Sequence, residues 1–81
     1  MKGTLIYDPQ QERLAITNEH GITHLHCGDY IEIERFIIAE TEKRIWLSAR
    51  VEYAYDRDDW YLAGLYAPGQ IPAGLTARTE F

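Results

Sequence analysis

The residue types best suited to chemistry gather between positions 20 and 29: His20, His24, His26, Cys27 and Asp29. Imidazole and thiolate are the groups zinc takes at tetrahedral positions, and a thiol beside an imidazole can serve as a nucleophile with its base. The spacing argues against both uses. In an extended segment successive side chains alternate faces, so His24 and His26 project to one side while Leu25 and Cys27 project to the other. The thiolate cannot then converge with the imidazoles without a sharp turn. The pattern reads as solvent-facing histidines and an inward, unreactive Cys27 that behaves as a small hydrophobe. The sequence contains no Gly-rich phosphate loop, nucleophile elbow or His-Glu-x-x-His run. The expectation is therefore no catalytic residue, no cofactor, and no metal on His20, His24, His26 or Cys27.

Recognition chemistry is better supplied. Aromatic residues make up 12% of the chain, more than a core of this size hides, so some must face solvent. Exposed Trp and Tyr bury large area on contact at small entropic cost and keep a polar handle. Tyr53, Tyr55 and Tyr66 fit an inward parity, whereas Phe36 and Trp46 fall on the outward one. The outward row Arg44, Trp46, Ser48, Arg50 alternates cations with an aromatic ring, an arrangement that can stack bases and hold phosphates. Glu32 and Glu52 lie beside it, and thirteen acidic against eight basic residues give a net charge of −5. That balance removes the long-range attraction on which general nucleic-acid binding depends, so nucleic acid is an unlikely partner.

The elements that must carry these residues are strands. Eighty-one residues with 46% hydrophobic and 26% charged content suit one small domain, residues 1–81. Period-two alternation marks strands at Thr4–Tyr7, Arg13–Thr17, Tyr30–Ile38, Arg44–Tyr55, Trp60–Tyr66 and Leu75–Thr79, with a short extended segment at Ile22–Cys27. Asn18–Gly21 and Asp56–Asp59 have turn composition. Pairing chemistry across a Glu40–Glu42 loop predicts Glu32 opposite Arg50, Phe36 opposite Trp46, and Ile33 opposite Ala49. Arg35 falls on the core-facing parity, where a bulge or a snorkelling stem would return its charge to water. A single cysteine allows no internal disulfide, no export segment opens the chain, and no apolar run approaches the roughly 18 residues of a membrane span. The expected setting is the cytoplasm, with no membrane association.

Gly28-Asp29-Tyr30-Ile31-Glu32-Ile33 resembles the entry to the second strand of SH3-like barrels. Trp60-Tyr61-Leu62-Ala63-Gly64-Leu65 resembles their strand after the distal turn, and Ile71-Pro72-Ala73-Gly74 the step into their short 3₁₀ turn. The likeness implies an all-β fold: an SH3-like small antiparallel barrel of five to seven strands with a 3₁₀ turn at Ile71–Ala73. It also implies a peptide groove containing Trp60 and Pro72; Tyr30 and Tyr55 complete the expected aromatic surface. The whole chain is similar to a group of small uncharacterised proteins of Gram-positive bacteria, often associated with mobile elements. The expected function is a non-catalytic protein-interaction module that binds another protein or peptide through Trp60, Tyr30, Tyr55 and Pro72. The alternative is a nucleic-acid-associated or nucleic-acid-mimicking accessory protein, using Arg44, Trp46 and Arg50.

Overall fold

Seven segments follow the two-residue alternation closely enough to become strands: β1 (Lys2–Asp8), β2 (Arg13–Asn18), β3 (Gly21–His24), β4 (Tyr30–Ile37), β5 (Lys43–Ala54), β6 (Asp59–Ala63) and β7 (Thr76–Arg78). The structure, a computed structural model, describes residues 1–37 and 43–79. The expected Glu40–Glu42 loop and Ile38 lie outside the described residues. All strand pairs are antiparallel, in the order β3-β2-β1-β7-β4-β5-β6.

The strand that decides the topology is the shortest. β7 runs between β1 and β4, with Ala77 opposite both Gly3 and Ile33. It thereby joins two sets of sequential hairpins, β1–β3 and β4–β6, into one sheet. Because the seam is in the middle, β3 and β6 remain as edges, and the sheet is open where a closed barrel was expected. A flat sheet of seven strands would span about 29 Å between its outer strands. Leu25, just beyond β3, and Leu62 of β6 nevertheless belong to one buried cluster with Leu5, Leu14, Ile16, Ile31, Ile33, Ala49, Val51 and Ala77. The sheet must curl so that its two ends face each other across that core. The predicted 3₁₀ turn is also absent: residues 73–74 form a simple turn, and Gly74, at φ +81°, breaks any helical run.

The faces of the central hairpin are as the alternation predicts, with Ile31, Ile33, Ala49 and Val51 buried. The register is not. Tyr30 stands opposite Arg50, Glu32 opposite Ser48, Ile33 opposite Leu47, Glu34 opposite Trp46 and Phe36 opposite Arg44, two residues from the predicted pairing. A slip of two preserves every face assignment, so burial cannot reject it. Charge pairing cannot reject it either, because each cation finds another carboxylate. Glu34 Oε1 lies 3.1 Å from Arg44 Nη1, and Arg50 Nε lies 3.0 Å from Glu52 Oε1. Glu32, assigned by sequence to Arg50, instead accepts a 3.0 Å hydrogen bond from Arg78 Nε of β7. Arg35 is exposed, with its guanidinium 5.1 Å from the centre of the Tyr66 ring.

Candidate interaction site

Two hairpin ends meet at one rim of the curled sheet. The β5–β6 turn brings Tyr53 opposite Trp60, and their rings pack edge to face at 5.2 Å and 66°. Tyr55 lies one residue beyond β5, where the chain has left the ladder, so its ring is 87% exposed although its parity is inward. It still touches Tyr53, at 5.1 Å and 80°. From the other hairpin come Tyr7, near the end of β1 and 53% exposed, and Glu12 in the β1–β2 turn. The Trp60 indole Nε1 donates to the Glu12 carbonyl at 3.2 Å, tying the two turns together.

These side chains line a cavity of about 470 Å³ whose rim carries Glu12, Asp58 and Asp59. A second cavity of about 400 Å³ lies against it, lined by Leu5, Leu14, Ile71 and Pro72 among others. Tyr7, Asp59 and Trp60 line both, so the two hollows form one groove with the indole as its dividing wall. Trp60 is partly buried against the core cluster, half anchor and half surface. The Tyr53 hydroxyl donates to Asp58. That hydrogen bond, with burial adding to it, pushes the phenol up to about 12, so Tyr53 stays neutral and fixed at any physiological pH.

Of the expected site, Trp60 thus shares one hollow with Tyr55 and the other with Pro72, and Tyr30 lines neither. Tyr30 begins β4, is 64% exposed, and lines a different hollow with Glu32, Ser48 and Arg78. Its hydroxyl hydrogen-bonds Arg50 and, with Glu52, raises the guanidinium further above its ordinary value. Sequence reasoning missed Tyr7, Tyr53, Glu12, Asp58 and Asp59 as site residues. The available signal was the pairing of aromatic strand ends with acidic turns in both hairpins.

The alternative surface is built but internally neutralised. Arg44 and Arg50 each meet a carboxylate. Trp46, expected to be an exposed surface ring, is partly covered instead: the Arg78 guanidinium lies 4.0 Å from its ring centre and the Lys2 ammonium 5.6 Å. The side chain of Phe36 lies outside the described residues.

The expectation of an inward Cys27 is wrong. β3 ends at His24, Leu25 is buried, and a turn at His26–Asp29 follows, with the Asp29 N–H donating to the His26 carbonyl at 3.1 Å. Alternation therefore stops one residue before it would have buried the thiol, and Cys27 is exposed. His24 Nε2 lies 2.7 Å from Asp8 Oδ2, whereas His20 and His26 neighbour Glu19 and Asp29. Among the described residues no three metal-ligating side chains converge, and no helix is long and apolar enough to cross a membrane.

The family profile described as "Domain of unknown function (DUF5348)" matches residues 3–79. The chain belongs to this family. The DUF5348 fold seen here is similar to the crystal structure of a protein from Ruminococcus gnavus, with 30% sequence identity and a TM-score of 0.68 over 98% of this chain and 100% of that one. No curated protein matches this DUF5348 chain.

Proposed function

We propose that the chain is a non-catalytic protein-interaction module that seats an extended segment of a partner protein in the groove divided by Trp60. The observation that carries this reading is the continuity of the two hollows at Tyr7 and Trp60. One hollow is lined by aromatic rings rimmed by Glu12, Asp58 and Asp59 and the other by Leu5, Leu14, Ile71 and Pro72, so an incoming chain meets rings and carboxylates in one half and aliphatic side chains in the other. Aromatic anchors of this kind dominate contact energetics because they desolvate large area with few rotors. Trp60 and Pro72 share the groove, which is the relation an SH3-like ancestry implies, and the reading places the open sheet as a variant of that architecture. The exposed thiol of Cys27 suits a reducing cytoplasm. The nucleic-acid reading is disfavoured because Arg44, Arg50 and Arg78 already face carboxylates and the chain carries a net charge of −5.

Affinity capture from the native cell tests this, comparing wild type with Tyr55→Ala, whose ring contributes little to the fold, and Arg50→Glu. A partner protein should be retained by wild type and Arg50→Glu, resist added salt, and be lost with Tyr55→Ala. Retained nucleic acid that elutes steeply with salt and is lost with Arg50→Glu would refute the proposal.

A further inference from the structure

The geometry points to the aromatic hollow as a binding site for an alkylammonium group, supplied by a lysine side chain of the partner. This rests on the interaction reading above and names the chemistry of one half of that groove. Tyr7, Tyr53, Tyr55 and Trp60 line the hollow. Tyr53 meets its neighbours at 80° and 66°, so the walls turn around one volume and do not form a flat stack. A planar group stacks on a single face, but a compact cation gains from each ring whose π face it meets.

The carboxylates give the hollow its sign. Elsewhere the acids of the sheet have basic partners: Glu32 has Arg78, Glu34 has Arg44, Glu52 has Arg50 and Asp8 has His24. At the hollow, Asp58 accepts from the Tyr53 hydroxyl and Asp59 from the Trp60 backbone N–H, both neutral donors. Among the described residues no Lys or Arg lines this hollow, and no ion pair there involves Glu12, Asp58 or Asp59. Among the described residues, the three negative charges beside these aromatic walls have no Lys or Arg ion-pair partner, and an incoming ammonium supplies one. A hard divalent ion does not fit, because among the described residues no three carboxylate, imidazole or thiolate groups converge to ligate one.

Glu12, at φ 53°, and Asp58, at φ 51°, are the non-glycine residues with left-handed backbone among those described, and both line this hollow. Each closes a hairpin turn immediately before a strand, where left-handed backbone is ordinary turn geometry, and so sets how its turn meets the hollow. The Glu12–Trp60 and Asp58–Tyr53 hydrogen bonds hold them here.

The test is an NMR titration of the full chain at low ionic strength with three probes. These are choline, its uncharged isostere 3,3-dimethylbutan-1-ol, and Nα-acetyl-lysine methylamide. Choline and the lysine derivative should both shift the Trp60 indole and Tyr55 resonances with millimolar affinity, and the alcohol should not. Tyr55→Ala, and separately Asp59→Asn, whose amide oxygen still accepts from the Trp60 N–H, should each weaken binding about fivefold. Equal shifts from choline and the alcohol would make the hollow merely apolar and overturn the proposal. Shifts from neither cation would also overturn it, and shifts from choline alone would overturn the assignment to lysine. A captured partner that stays bound to an Asp58→Asn/Asp59→Asn variant would sink the ammonium site while leaving the interaction reading standing. Choline binding without any captured protein would do the reverse.

Discussion

Replacing Trp60 by alanine separates its two roles, because the structure sets bounds on both. A fully buried Trp truncated to alanine costs about 3–5 kcal/mol. Trp60 packs against the core on one side only, and its other faces open onto the two hollows. The indole also carries an edge contact to Tyr53, worth about 0.5–1.5 kcal/mol, and the hydrogen bond to the Glu12 carbonyl, worth about 1 kcal/mol. These terms overlap, so the expected total loss is about 2–3 kcal/mol, below the fully buried range. For a domain of this size that lowers Tm by roughly 10–20 °C. Trp60→Phe keeps most of the edge contact but loses the donor, and should cost about 1 kcal/mol. Urea unfolding followed by circular dichroism measures both variants against wild type. A loss above about 4 kcal/mol for the alanine variant would mean that the indole is core and the groove is closed. A loss under about 1 kcal/mol would mean that it neither packs nor bonds, so the two turns are not tied together.

Gly3→Ala should destabilise by about 1–3 kcal/mol, since its new methyl would overlap the Thr17 carbonyl oxygen and lie 2.9 Å from the Thr17 carbonyl carbon and 3.1 Å from Ile16 Cγ2; an unchanged Tm would disprove that close approach. The hydrogen bond from His24 holds the Asp8 carboxyl below its ordinary value of 3.8. The corresponding stability is present above that value and disappears as the pH falls through the lower folded-state value, so Asp8→Asn should flatten the acid limb of a stability-against-pH curve and leave the neutral region parallel to wild type. Cys27, exposed at the edge of the aromatic hollow, should react with iodoacetamide in the native state as completely as in urea, and protection in the native state would restore the inward placement.

Strand existence and facing were legible because they rest on a period that any sequence displays. Ile31, Ile33, Ala49 and Val51 alternate, and all are buried. Register was illegible because a two-residue slip leaves that pattern intact, and because Arg78, far away in sequence, takes the carboxylate that seemed to belong to Arg50. The site was half legible for a similar reason. Trp60, Tyr55 and Pro72 sit near turns whose composition announces them, but Tyr7 and Glu12 join Trp60 and Tyr55 in the aromatic hollow only because the sheet curls. Tyr30 lies apart, and nothing in the spacing says that the start of β4 stands opposite Arg50 rather than beside the β5–β6 turn. Cys27 was misread because strand parity was carried past the end of β3.

The three residues of β7 have a consequence for how the chain is made. Each set of three hairpin strands consists of neighbours in sequence and can close quickly over short loops, whereas the seam between the sets pairs residue 78 with residue 2 and residue 76 with residue 4. During translation both halves are complete before residues 76–78 exist, so β1 and β4 each present an unpaired edge until the seam closes. A chain halted before residue 76 keeps both edges bare, and two such chains can pair with one another in place of the missing strand. Loss of residues 76–78 therefore favours aggregation over a smaller folded domain.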